Sequence, residues 1–99
     1  MKGTLKVSWE NGKIAVQFVD YGGKKFRLNI ENGPLFCTQN AVLAGNRIFS
    51  VYGAQCYAPQ KPIGMQEENG QLMVYAEEGI FIYDITTLGL IKLKTTQNR

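Results

Sequence analysis

The side chains that could do chemistry in this sequence are two thiols, Cys37 and Cys56, two adjacent carboxylate pairs, Glu67-Glu68 and Glu77-Glu78, and a lysine-flanked glycine run, Tyr21-Gly22-Gly23-Lys24-Lys25. A nucleophilic thiol needs a base beside it, and a metal needs several soft or imidazole ligands. The sequence contains no histidine, which removes the commonest base at neutral pH and the commonest metal ligand. Two cysteines without a Cys-x-x-Cys spacing are too few for a structural zinc site. No metal or cofactor is therefore expected. The thiols read as buried and free, with a single disulfide or one exposed thiol as alternatives. The paired glutamates fall at turns, where adjacent side chains point to opposite faces or into water, so they do not converge on a substrate as acid and base. The glycine run lacks P-loop spacing and joins two strands, whereas phosphate loops open a helix. It reads as a hairpin turn with solvated lysines. Without a catalytic constellation, the chain is expected not to be an enzyme.

A second set of residues has the chemistry of a stacking surface. Tyr21, Tyr52 and Tyr57, with Lys24, Lys25, Arg27, Arg47 and Lys61, offer aromatic rings beside cations, as barrels that bind single-stranded nucleic acid do. Ordinary core tyrosines and loop lysines account for the same residues. The net charge of +3 is unevenly placed: residues 1–33 carry six basic and three acidic side chains, residues 34–66 carry Arg47 and Lys61 alone, and residues 67–99 carry three basic and five acidic. This density is below that of most nucleic-acid-binding domains.

The elements that must position these groups are hairpins. Leu5, Val7 and Trp9 alternate with polar residues, Asn11-Gly12 supplies the preferred pair for a two-residue turn, and Ile14, Val16 and Phe18 alternate on the return. That turn pairs Glu10 with Lys13, Trp9 with Ile14, Val7 with Val16 and Leu5 with Phe18. A turn at Tyr21-Gly22-Gly23 then pairs Asp20 with Lys24, Phe18 with Phe26, Val16 with Leu28 and Ile14 with Ile30. Every apolar residue falls on one face, and a one-residue slip would destroy the match. Strands near 4–10, 13–20 and 24–31 form an antiparallel meander, stopped by Asn32-Gly33-Pro34 because proline cannot donate to a ladder.

Towards the C-terminus, Asn69-Gly70 signals another hairpin, and residues 72–76 and 80–85 read as strands. A three-residue loop at Glu77-Glu78-Gly79 pairs Ala76 with Ile80 and Val74 with Ile82 on one face, and Tyr75 with Phe81 and Met73 with Tyr83 on the other. Both faces are apolar, so one is expected to meet a second sheet and the other a partner. Met73, Tyr75, Phe81, Tyr83 and Ile85 are the candidate protein interface. Lys92 and Lys94 suit an exposed edge. In the middle, Arg47 to Tyr52 and Ala54 to Tyr57 read as strands, residues 39–44 as a short helical turn, and Pro59 to Pro62 as an exposed loop.

Two short runs resemble known families. Phe18-Val19-Asp20-Tyr21-Gly22 is similar to the Phe-x-Asp-Tyr-Gly run of Tudor-type barrels, which implies an aromatic cage for a methylated cation. Residues 70–76 followed by 79–85 look like one blade of a β-propeller, of which this chain would hold two at most, since a blade takes about 40 to 50 residues.

With 99 residues, 44% hydrophobic and 19% charged, the chain is expected to form one all-β domain, a small antiparallel sandwich or barrel of about eight to ten short strands. No stretch approaches the roughly 18 apolar residues of a membrane span, and no leader is evident. The expected location is the cytoplasm, or a virus particle assembled there, with both chain ends packed down. The expected function is that of a non-enzymatic interaction or structural module: a small accessory, decorating or inhibitory subunit of a larger, phage or bacterial, assembly. Its partner is a protein or a second copy, with no membrane and no metal, and nucleic acid is the alternative.

Overall fold

A computed structural model describes residues 2–31 and 33–95. Met1, Asn32 and residues 96–99 lie outside these, and with them the expected strand stop at Asn32 and the packing of the two chain ends. The chain is all-β, in eleven strands: β1 (Gly3–Glu10), β2 (Lys13–Asp20), β3 (Lys25–Ile30), β4 (Leu35–Cys37), β5 (Ala41–Ala44), β6 (Arg47–Ser50), β7 (Gln55–Tyr57), β8 (Pro62–Glu68), β9 (Gln71–Ala76), β10 (Gly79–Asp84) and β11 (Leu90–Thr95). They form three antiparallel sheets in chain order: sheet A, β1-β2-β3; sheet B, β4-β5-β6-β7; and sheet C, β8-β9-β10-β11.

The N-terminal meander follows its alternation. Glu10 pairs with Lys13, Trp9 with Ile14, Val7 with Val16 and Leu5 with Phe18; Phe18 then pairs with Phe26, Val16 with Leu28 and Ile14 with Ile30. Asn11 (φ 54°) and Gly12 (φ 77°) both hold the left-handed conformation that a type I′ turn demands. Residues 39–44, expected as a helical turn, contain β5. All four of its residues are buried, because it lies in the middle sheet and is covered on both faces, so its apolar run shows no alternation to read.

Sheet B is packed on both sides. Ile14 and Val16 of sheet A meet Val42, Ala44 and Phe49 on one face of B. Ala41, Leu43 and Ile48 on the other face meet Leu72, Val74 and Tyr83 of sheet C. The architecture is a three-layer stack, and the chain holds three blade-like sheets where the propeller resemblance allowed two. Strands of three or four residues in sheet B account for the difference. Phe18, Leu43, Ile48, Phe49 and Leu72 are fully buried, each contributing about 1.5–3 kcal/mol of transfer free energy.

The sheets repeat one plan. Two residues join the inner hairpin in each: Asn11-Gly12, Gly45-Asn46 and Glu77-Glu78. The next turn is closed by equivalent bonds, in which the Asp20, Ser50 and Asp84 N–H groups donate to the carbonyls of Lys24, Ala54 and Gly89. The side chains of these residues cap the same turns: Asp20 Oδ1 accepts from Lys24 N–H (2.9 Å), Ser50 Oγ from Tyr52 N–H (3.1 Å) and Asp84 Oδ1 from Thr86 N–H (2.8 Å). Phe18, Ile48 and Ile82, two residues earlier, therefore occupy one structural position, and Leu5, Leu43 and Met73, their neighbours across the hairpin, another. The face carrying these residues is the front of each sheet. The front of A packs on the back of B, and the front of B on the back of C.

Candidate functional site

The register of the last hairpin decides what its two faces present. Glu77 and Glu78 form a two-residue turn, so Ile80 pairs with Tyr75, Phe81 with Val74, Ile82 with Met73 and Tyr83 with Leu72. The expected three-residue loop is thereby corrected by one position, and the expected interface is divided between two faces. Phe81, Tyr83 and Ile85 turn inward with Leu72 and Val74 to form the core against sheet B. Met73 and Tyr75 lie on the front with Ile80 and Ile82. Burial pushes the Tyr83 phenol up to about 12, as suits a core ring.

The front of sheet C is the candidate site. Ile82 stands where Ile48 stands in sheet B, and Met73 where Leu43 stands. Ile48 and Leu43 are fully covered by sheet C, whereas no described sheet covers Met73, Tyr75 and Ile80, which are half-buried. Polar groups frame the patch. Lys92 and Lys94 of β11 pair with Ile82 and Ile80, Gln66 of β8 accepts from the Tyr75 hydroxyl (2.8 Å), and Glu68 and Asp84 flank Gln71. A core of apolar side chains inside a polar rim is the anatomy of a protein-docking surface. A turn that included Gly79 would reverse the faces of every later residue and hide Ile80 and Ile82 from this front; the two-residue turn places them on it.

The nucleic-acid candidates are spread over three surfaces. Tyr21 (91% exposed), Lys24 and Tyr52 lie at the turns that follow β2 and β6. Lys25 and Arg27 lie on the back of sheet A, where Arg27 forms an ion pair with Glu10. This pairing holds the Glu10 carboxyl below its ordinary value, mainly through the Arg27 hydrogen bond. Arg47, Tyr57 and Lys61 line a groove of about 1110 Å³ at the opposite end, between the β3–β4 and β7–β8 connections. There the Arg47 guanidinium sits 5.2 Å from the Tyr57 ring centroid and donates to Gln55 Oε1 (2.6 Å), while Lys61 pairs with Glu77 at 3.2 Å. Tyr21 is too exposed to belong to an aromatic cage, and the sheets form an open stack, so the Tudor likeness is confined to a turn.

Glu67, expected as a solvated turn acid, is part of β8, on the same face as Met65. Its carboxylate accepts from Thr38 Oγ1 (2.7 Å), Asn40 N–H (2.9 Å) and Asn40 Nδ2 (2.5 Å) in the β4–β5 turn, latching sheet C to sheet B. Burial raises its pKa, but the bonds from Asn40 and Thr38 outweigh burial and leave it below its ordinary value. Cys37 and Cys56 are both free, Cys37 exposed and Cys56 partly buried. They lie on the two edge strands of sheet B. Burial pushes the Cys56 thiol up, which makes it a poor nucleophile. Among the described residues no cluster of three metal-ligating side chains occurs, and no helix is long and apolar enough to cross a membrane. No protein-family model matches the chain, and no curated protein or solved structure shows significant similarity to it.

Proposed function

We propose that this protein is a non-catalytic docking module, an accessory or structural subunit that joins a larger assembly through the front of sheet C. The observation that carries this reading is positional. Met73 stands where sheet B fully buries Leu43, and Ile82, itself 8% exposed, where sheets A and B bury Phe18 and Ile48, yet no described sheet covers this front, on which Met73, Tyr75 and Ile80 stay half-buried. The back of sheet A, by contrast, carries Lys6, Ser8, Gln17 and Arg27, the polar outer face that closes a stack of repeats. One end is capped and the other is open. The partner is a protein offering an apolar sheet or helix face with acidic groups at its border, to meet Lys92 and Lys94. The scatter of the aromatic and cationic residues over three surfaces weighs against a nucleic-acid platform.

The test places a photo-crosslinking amino acid at Ile80 and, as a control, at Lys6, in the cells that produce the protein. The reading expects one dominant adduct from position 80 and none from position 6. Binding of the identified protein, purified, should fall at least tenfold with Ile80→Asp and Met73→Asp in variants that keep the β-sheet circular dichroism. An adduct of two copies would make the partner a second chain. Equal crosslinking from both positions, or a monomer that crosslinks from neither, would overturn the proposal.

A further inference from the structure

The repeat also has a place where, among the described residues, a strand is missing. β5 and β9 are interior strands, flanked by β4 in sheet B and by β8 in sheet C. β1 is their equivalent, since Leu5, Leu43 and Met73 share one position, yet β1 is an edge. Sheet A has three strands where B and C have four.

The pairing fixes which backbone groups face this vacancy. Across a two-residue turn the flanking residues, Glu10 and Lys13, form a hydrogen-bonded pair, and bonded and non-bonded pairs then alternate. Ser8, Lys6 and Thr4 point their N–H and C=O groups at β2, while Trp9, Val7, Leu5 and Gly3 point theirs outward. The bond from Gly3 N–H to the Val51 carbonyl agrees with this parity. Leu5, Val7 and Trp9 thus present free backbone groups from the residues whose side chains lie on the apolar front. The front residues of β1 are also the least covered in sheet A: Leu5 and Val7 are half-buried and Trp9 is 59% exposed, against full burial of Ile14, Val16 and Phe18 on β2. Trp9, which falls on the apolar face of the meander, is left largely exposed because no neighbouring strand lies beside it. Sheet B bears the matching sign. Cys37 points to the same side of sheet B as its cross-strand partner Val42, which is buried under sheet A, but Cys37 is exposed, because nothing in sheet A lies over that end of β4.

We infer that the free edge of β1 is a strand-addition site that accepts one extended segment of a partner polypeptide, antiparallel to β1, with apolar side chains at alternate positions and acidic ones between them. Strand addition of this kind draws affinity from main-chain hydrogen bonds and specificity from alternate side chains. Single strands fill the equivalent positions in B and C, so the vacancy is one strand wide. The charge requirement comes from Lys6 at the middle of the edge, on the solvent side, with Lys13, Lys25 and Arg27 on the same face. The Lys13–Glu31 and Arg27–Glu10 pairs neutralise two of these cations, and among the described residues Lys6 and Lys25 form no ion pair. Segment β8, which fills the equivalent position in sheet C, offers part of this pattern: Ile63 and Met65 share one face, with Glu67 beside them, and Gln66 and Glu68 lie on the other.

The probe is therefore a fluorescein-labelled peptide copying residues 61–69, titrated with the whole protein and read by fluorescence anisotropy. Saturable binding is expected. N-methylation of the alternate peptide amides that face β1 should weaken it at least tenfold, while methylation of the other alternate set should leave it within twofold. Val7→Pro removes one outward donor while sparing the β1–β2 ladder, and should weaken binding at least tenfold in a protein whose circular dichroism is unchanged. Ile80→Asp should leave peptide binding unaltered, which keeps this site distinct from the front of sheet C. Absence of saturable binding, or equal effects of the two methylation sets, would overturn the inference. The peptide arms alter no residue of the protein, so they decide the matter even if Val7→Pro does not fold.

Discussion

Replacing Glu67 by Gln tests whether the stack is held by its latch as well as by its core. The carboxylate takes three hydrogen bonds from Thr38 and Asn40. Bonds to a charged acceptor contribute about 1.5–3 kcal/mol each, against roughly 0.5–1.5 kcal/mol for neutral ones. The amide of Gln keeps one accepting oxygen and turns an NH2 group towards donors. Rotation of the Asn40 amide recovers one contact, because its Oδ1 is buried without a partner. A net loss of about 2 kcal/mol follows, which for a domain of this size lowers Tm by about 8–16 °C. The pH dependence carries the sharper test. Because the Glu67 pKa is lowered in the folded state from its ordinary 4.5, its ionisation stabilises the fold fully above that value, and the contribution is lost as pH falls through the folded pKa. Urea unfolding of wild type and Glu67→Gln should therefore show the full difference at pH 7 and a shrinking one between about pH 5 and pH 3. Glu68→Gln, at the exposed neighbour, should stay within about 0.5 kcal/mol of wild type. A Glu67→Gln variant as stable as wild type at pH 7, or a deficit that does not change with pH, would refute the reasoning.

Two further outcomes follow from the repeat. Leu43→Ala, at a fully buried position, should cost about 2–5 kcal/mol in urea unfolding, whereas Met73→Ala, in the same structural position on the open front, should cost about 1 kcal/mol or less; equal losses would mean that the two sites are equally covered. In a thiol-reagent titration, Cys37 should react at once and Cys56 at least tenfold more slowly, with both fully reactive in urea. A native protein that shows no reactive thiol would contradict the exposed edge position of Cys37.

The parts of this fold that could be read from sequence are those in which turn chemistry and alternation agree. In sheet A, Asn11-Gly12 sets the register and nine apolar residues confirm it, so the seven apolar and polar pairs about the two turns emerge without the structure. In sheet C the turn residues are Glu77 and Glu78, neither of which favours the left-handed conformation, and Gly79 drew the turn one residue too far. Both faces of that hairpin are apolar, so alternation does not arbitrate between the two registers. Sheet B is the hardest case: Ala41-Val42-Leu43-Ala44 is covered on both sides and four residues long, which leaves neither period nor length to separate strand from helix. Glu67 illustrates a different limit. Its neighbours in sequence mark it as a turn acid, and its partners Thr38 and Asn40 lie 27 to 29 residues away, in a separation that no local pattern encodes. A parity count along β8 from Met65 would have put it on the inward face.

The two ends and two edges of the stack are treated differently, and this asymmetry links the site on sheet C to the vacancy beside β1. The back of sheet A is closed by ion pairs, Lys13 with Glu31 and Arg27 with Glu10, over polar residues. The β11 edge is guarded by Lys92, Lys94 and a register shift opposite Ile82 and Tyr83, devices that discourage a further strand. The β1 edge has eight residues in unbroken register with β2 and a single lysine, Lys6, within it. If protection from aggregation governed every boundary, β1 would carry a bulge or a second lysine, and the front of sheet C would carry more than its rim of lysines. The surfaces left unguarded are those at which the three-sheet repeat is incomplete: the front that lacks its next sheet and the edge that lacks its first strand. A partner that supplied both, laying a sheet or helix on the one and a single extended segment on the other, would give every apolar position in the repeat the same covering that Ile48 and Leu43 already have.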